Sequence, residues 1–193
     1  MQKNTRIPFI AQAAVIAALY VAISLPIAMS GPIAYLNYGP IQFRIAEALA
    51  MLAALTPAAI PGLAIGCLLT NILGPYGVPD MVFGTLASLL AALCTYWLRK
   101  ITFSLSVSME LPSRSFQLSA EKLPLFSALP PVLFNAVIIG TMIAYFFMDS
   151  FEWSNILLFG AQVGFGQAVV VFLLGLPLAA LLKKTKIFSR NEV

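Results

Sequence analysis

Histidine is absent from this 193-residue chain, charged residues make up only 9% of it, and cysteine occurs twice. Without histidine the chain lacks the commonest general acid–base and the commonest metal ligand. Seven acidic residues leave little material for a carboxylate-based catalytic or metal centre. Cys67 and Cys94 lie inside apolar runs, where a thiol packs as a small hydrophobe rather than as half of a disulfide or metal pair. No G-x-x-x-x-G-K-[ST] loop occurs, so the chain has no Walker-type nucleotide site of its own. These absences point away from an enzyme, and neither cofactor nor metal is expected.

What fills the chain is apolar: 61% of residues are hydrophobic and the mean hydropathy is +0.95, which marks an integral membrane protein. The net charge of +4 does not signal nucleic acid. Lys3, Arg6, Arg99, Lys100, Arg114, Lys122, Lys183, Lys184, Lys186 and Arg190 all lie outside the apolar runs, where they set topology. Arg44 is the exception.

Six apolar segments are expected as helices, at about residues 8–29, 41–55, 59–73, 78–98, 124–147 and 156–182, in a single transmembrane domain. Segments two and three are short for spanning helices, and a kinked or re-entrant pair is the alternative. The polar, serine-rich stretch 99–123 reads as a flexible aqueous loop. With six spans the amino terminus, this loop and the carboxyl terminus carry the basic residues, and the positive-inside rule makes all three cytoplasmic. Five spans would put one basic terminus outside.

Segment two carries Gln42, Arg44 and Glu47 in otherwise apolar sequence. A charged side chain at mid-membrane costs about 2.5–3.5 kcal/mol on insertion scales, so such groups pair, face a wet cavity or bind something. On the six-span topology Gln42, Arg44, Glu47, Asn71, Asp80, Asn155, Gln162 and Gln167 fall between the outer face and mid-depth, with Asn135 near the middle. This is the polarity of a binding pocket open to the outside. Plainer readings stand beside it. Arg44 and Glu47 at i,i+3 would neutralise each other; Asp80 would serve as a helix-start residue; Asn71 would cap segment three. Tyr35, Tyr38 and Tyr76 would belong to an interfacial aromatic belt. In segment one, Ala14, Ala18 and Ala22 recur every four residues, beside Ala13 and Ala17. Such a stripe lets a second helix approach closely, within the chain or on a partner.

Residues 41–47 (IQFRIAE), 60–71 (IPGLAIGCLLTN), 80–85 (DMVFGT) and 129–135 (LPPVLFN) resemble the queuosine-precursor transporter family. Members of that family are substrate-binding S components of bacterial energy-coupling-factor (ECF) transporters. The resemblance covers nearly the whole chain apart from the polar loop. It implies an all-α, six-helix S-component bundle in the bacterial cytoplasmic membrane. It further implies docking on a transmembrane coupling subunit and two cytoplasmic ATPases, with Ala14, Ala18 and Ala22 as the docking face. The implied ligand is a 7-deazaguanine such as the aminomethyl precursor preQ1. Its N–H donors suit Glu47 or Asp80, its carbonyl suits Asn71, Asn135 or Gln42, and its ring suits Tyr35, Tyr38 or Tyr76. The chain departs from the family pattern at Gln167, where Glu is expected after Gly166. Alternatives are an S component for another vitamin-like nutrient, or an ion-coupled carrier that uses Glu47 or Asp80 as its relay.

Overall fold

Inside a bilayer no water is available to bond the backbone, so an apolar run must satisfy its own N–H and C=O groups, and the helix does so locally. The computed structural model describes residues 8–39, 41–101, 103–104, 108–111, 114–117, 122–123, 125–148 and 151–184, and each of its apolar segments contains a helix. The basic residues Lys3 and Arg6, Pro40, Asp149, Lys186 and Arg190 lie outside the described residues.

Helix α1 (Phe9–Ala28) leads into a short turn of helix, α2 (Tyr35–Tyr38). A 3-10 helix follows over Ile45–Ala54, then α3 (Ala59–Ile72) and α4 (Val78–Leu98). The next long helix is assembled from α5 (Leu129–Phe134), a π segment (Asn135–Ile139) and α6 (Gly140–Phe146). The last is α7 (Trp153–Val170), a second π segment (Val171–Gly175) and α8 (Leu176–Lys184). Four of these units are long and apolar enough to cross a membrane: Phe9–Ala28, Val78–Leu98, Leu125–Phe146 and Trp153–Lys183, of 20, 21, 22 and 31 residues.

Segment two differs from a simple helix over 41–55. Residues 41–44 are not helical, and the helix that follows is 3-10 for ten residues, against the three or four usual for that geometry. At about 2 Å rise per residue it spans about 20 Å, and the 14 residues of α3 span about 21 Å. Both fall short of the roughly 30 Å hydrocarbon thickness. Protein, not lipid, covers the 3-10 helix: every residue from Ala46 to Ala53 is buried. Irregular backbone at membrane depth is tolerated in that situation.

Close packing depends on small residues because lipid offers no hydrophobic drive between helices. Gly62 and Gly66 of α3 abut the carbonyls of Ala13 and Ala17 on α1, and a Cβ at Gly66 would sit 2.7 Å from Tyr20 Cβ. The face of α1 that packs inward therefore carries Ala13, Ile16, Ala17, Tyr20 and Ser24, while Ala14, Ala18 and Ala22 are exposed. Ile16, Tyr20, Leu49, Leu52, Leu63 and Cys67 form the main apolar cluster. Polarity is inverted relative to a water-soluble domain. Ile10, Leu69, Val82, Val137, Leu157 and Leu173 are exposed, whereas Gln42, Glu47, Asp80, Ser88, Asn135 and Gln167 are buried. Together with the four long helices this is a multi-pass membrane protein.

The polar loop is not unstructured throughout. Within it β1 (Phe103–Ser104) pairs antiparallel with β4 (Lys122–Leu123), and β2 (Ser108–Leu111) with β3 (Arg114–Gln117).

Candidate functional site

The 3-10 helix, α3 and α4 bring the intramembrane charges together. Arg44 sits just before the 3-10 helix and Asp80 in the first turn of α4. Arg44 Nη2 donates to both carboxylate oxygens of Asp80, at 2.7 and 2.9 Å. The i,i+3 neutralisation of Arg44 by Glu47 is thus not what the fold adopts, and Asp80 is more than a helix-start residue. Both members of the pair are buried. Asn71 Nδ2 donates to the Asp80 carbonyl at 2.9 Å and to Cys67 Sγ at 3.3 Å, so its side chain ties α3 to α4 rather than capping α3. Gly84 leaves room for this cluster: a Cβ there would lie 2.8 Å from Asp80 Oδ1.

Glu47 has different partners. Tyr20 of α1 and Ser88 of α4 both donate to its Oε1, each at 2.7 Å, while its Oε2 is buried with no hydrogen-bond partner. Sequence reasoning missed Tyr20 and Ser88. A signal for Tyr20 was present: Ala13, Ala17, Tyr20 and Ser24 recur at helical spacing, and a phenol in mid-span needs a polar partner.

Other polar groups are left open. Gln42 and Gln167 are fully buried, and no atom of either amide makes a hydrogen bond of good geometry, although the Gln42 amide lies near the Tyr76 hydroxyl. Arg44 Nη1, Thr85 Oγ1 and Gln162 Oε1 are buried without partners as well. Asn135 Nδ2 donates back to the Pro131 carbonyl at 2.8 Å, on the turn before the first π segment, which leaves its Oδ1 unpartnered. Single π turns of this kind recur at functional sites. An unsatisfied buried polar group costs about 1–3 kcal/mol, so a set of them needs a reason. Gly166 packs directly on the backbone of Gln42, and Gly164 on Ala136, which holds α7 against the 41–44 stretch and the first π segment.

The aromatic residues divide. Tyr35 is exposed. Tyr76 Oη donates to the Tyr38 carbonyl at 2.5 Å, and the two rings meet edge to face at 5.7 Å. The guanidinium of Arg44 lies 5.9 Å from the Tyr38 ring centroid, and Phe147 packs on Tyr76 at 4.7 Å. The connections before the 3-10 helix and after α3 are therefore latched to each other beside the charged cluster. Burial pushes the Tyr38 phenol up to about 12 and raises that of Tyr76, so both remain neutral hydroxyls around neutral pH.

Of the residues singled out in sequence, Gln42, Arg44, Glu47, Asn71, Asp80, Asn135, Tyr38 and Gln167 are buried, and Tyr76 and Gln162 are part-buried. Arg44, Asp80, Asn71, Tyr38 and Tyr76 form one connected group, and Glu47 forms a second with Tyr20 and Ser88. The chain is similar to the family model described as QueT transporter over residues 10–184. No curated protein and no solved structure matches it.

Proposed function

This chain belongs to the QueT transporter family, and on that premise we propose that it is the substrate-capture subunit of an ATP-driven ECF importer for a 7-deazaguanine precursor of queuosine. The observation that carries the reading is the excess of buried, open acceptors in the bundle interior. Glu47 Oε2, Asn135 Oδ1, Gln162 Oε1 and the carbonyl oxygens of Gln42 and Gln167 are open acceptors, against the open donors of Arg44 Nη1 and of the two glutamine amides, with Thr85 able to act either way. A ligand rich in N–H groups balances that set. In preQ1 these are the ring N–H, the 2-amino group and the cationic aminomethyl group.

The paired residues modify the roles expected from sequence. Asp80 is neutralised by Arg44, so Glu47 supplies the negative charge for the ligand through its one open oxygen. Gln42, Arg44 Nη1 or Gln167 donates to the ligand carbonyl. Asn71 positions α4 instead of touching ligand, and the latched rings of Tyr38 and Tyr76 supply the aromatic face. None of the open atoms reaches solvent, so ligand entry requires the Tyr38–Tyr76 latch to part.

Six spans with both termini cytoplasmic, in the bacterial cytoplasmic membrane, complete the reading. The 3-10 helix and α3 are the two short spans. The outward-facing Ala14, Ala18 and Ala22 form the docking face for the coupling subunit, and the ATPases act through that subunit.

The test is ligand-induced thermal stabilisation of the detergent-purified chain by preQ1, its nitrile precursor, queuine, guanine and riboflavin, each as a concentration series. A shift confined to deazaguanines, and lost or reduced at least tenfold in apparent affinity in Glu47→Gln, is expected. Stabilisation by riboflavin alone would reassign the substrate, and preQ1 affinity unchanged in Glu47→Gln would sink the assigned chemistry. Ala18→Trp is expected to abolish complex formation and uptake while sparing ligand binding. Uptake that persists without the ATPases would identify an ion-coupled carrier instead.

A further inference from the structure

We propose that Gln42 and Gln167 form a specificity-determining amide pair that reads a lactam edge of the ligand, a carbonyl acceptor adjoining an N–H donor. The inference rests on the capture reading above and assigns one edge of the ligand within it. Both side chains are 0% exposed, and no polar atom of either amide makes a hydrogen bond of good geometry, the Gln42 amide having only the Tyr76 hydroxyl nearby. The same interior engages its other buried amides: Asn71 donates to the Asp80 carbonyl, Asn135 to the Pro131 carbonyl and Asn37 to the Ser24 carbonyl. Each of those amides makes at least one hydrogen bond of good geometry, whereas Gln42 and Gln167 make none.

Their backbones adjoin. Gly166 rests on the N, C and O atoms of Gln42, so closely that a Cβ at 166 would collide with the Gln42 carbonyl. That contact brings the Gln42 backbone against the turn of α7 that carries Gln167, yet the amides do not bond each other. A carboxylate only accepts and a guanidinium only donates, whereas each primary amide offers both functions. Two amides from opposed backbones can engage a carbonyl and the adjacent N–H without adding charge, leaving charge recognition to Glu47. A site built to hydrogen-bond a polar group discriminates strongly against an analogue that lacks it, because its own buried groups are then left unpaired.

The experiment compares the affinity of the purified full-length chain for preQ1 and for its 6-deoxo analogue, in which hydrogen replaces the ring carbonyl oxygen. Wild type is expected to prefer preQ1 by at least about tenfold, because the analogue loses the carbonyl acceptor and, its ring now fully aromatic, the adjacent N–H donor as well. In Gln42→Met and Gln167→Met, which conserve volume, that ratio is expected to collapse towards one. Gln42→Leu and Gln167→Leu, which remove the amide within a different apolar shape, are expected to lower it too and supply the ratio if a methionine variant fails to fold. A ratio retained at its wild-type value in the variants would overturn the amide pair and leave the capture role standing. No binding of either compound by wild type would overturn the capture reading, and this inference with it.

Discussion

Two polar regions share the interior of this bundle, and they are built in opposite ways. Around Arg44, Asp80 and Asn71, side chains satisfy one another: a guanidinium on a carboxylate, an amide on the adjoining carbonyl. Around Gln42, Gln167, Gln162 and Asn135, acceptors and donors are closed off from solvent and left open. Glu47 combines the two states, with one oxygen held by Tyr20 and Ser88 and the other free. Both regions are buried in the bundle, where polarity is costly, but the cost is met differently. The first region stabilises helix positions within the fold. The second is a standing penalty that a ligand's own donors and acceptors can remove. The contrast separates buried polar groups that satisfy one another from those left open, and only the second set offers a ligand unused donors and acceptors.

The sharpest way to break the comparison is to treat the paired region as if it were open. Asp80→Ala leaves Arg44 buried without its counter-charge, and the expected loss is about 3–5 kcal/mol of stability, seen as a large drop in thermal unfolding temperature. Arg44→Met with Asp80→Leu should recover most of that loss, since removing both charges leaves neither unpaired. A single variant as stable as wild type would show that the ion pair does not hold the fold.

Tyr20→Phe probes the boundary. It removes one of two donors to a charged oxygen, with an expected cost of about 1.5–3 kcal/mol in denaturant or thermal unfolding. Gly166→Ala tests the seam between α7 and the 41–44 stretch. Its Cβ would collide with the Gln42 backbone, so a loss of about 1–3 kcal/mol is expected, together with weaker ligand binding as the two glutamines are pushed apart.

The smallest effect on the fold is expected in the open region, and it gives the most informative contrast. Gln167→Met removes a buried amide that has no partner, so unfolding without ligand should be unchanged or raised by up to about 1 kcal/mol. The same variant should lose most of its stabilisation by preQ1. Destabilisation as large as that of Asp80→Ala would place Gln167 among the structural residues and erase the distinction.

Much of this was legible before any coordinates. Hydropathy marks the long helices because each must cover about 30 Å of hydrocarbon with side chains that tolerate lipid. The rarity of charge singled out Arg44, Glu47 and Asp80, and the cost of burying them argued that each had a partner or a purpose. Which partner it was did not follow. Arg44 and Glu47 at i,i+3 are natural partners on a regular α-helix, but Arg44 precedes the 3-10 helix that carries Glu47, and its guanidinium is captured from α4 instead. The stripe of Ala14, Ala18 and Ala22 was visible as a pattern, but Gly62 and Gly66 decide which face of α1 is covered, by packing on the neighbouring face at Ala13 and Tyr20.

By itself the sequence determined that this chain lives in a membrane, that its interior is more polar than its lipid-facing surface can be, and which few residues carry that polarity. Composition suffices for those conclusions because transfer of apolar and charged groups between water and lipid depends on the groups themselves. The tertiary structure decided which polar groups are spent on one another and which remain open. Asp80 and Glu47 are both carboxylates in apolar sequence, yet one ends in an ion pair and the other with a free oxygen. That difference is set by which helices meet, since a hydrogen bond requires contact within about 3 Å in a defined direction, and only packing across the fold provides it.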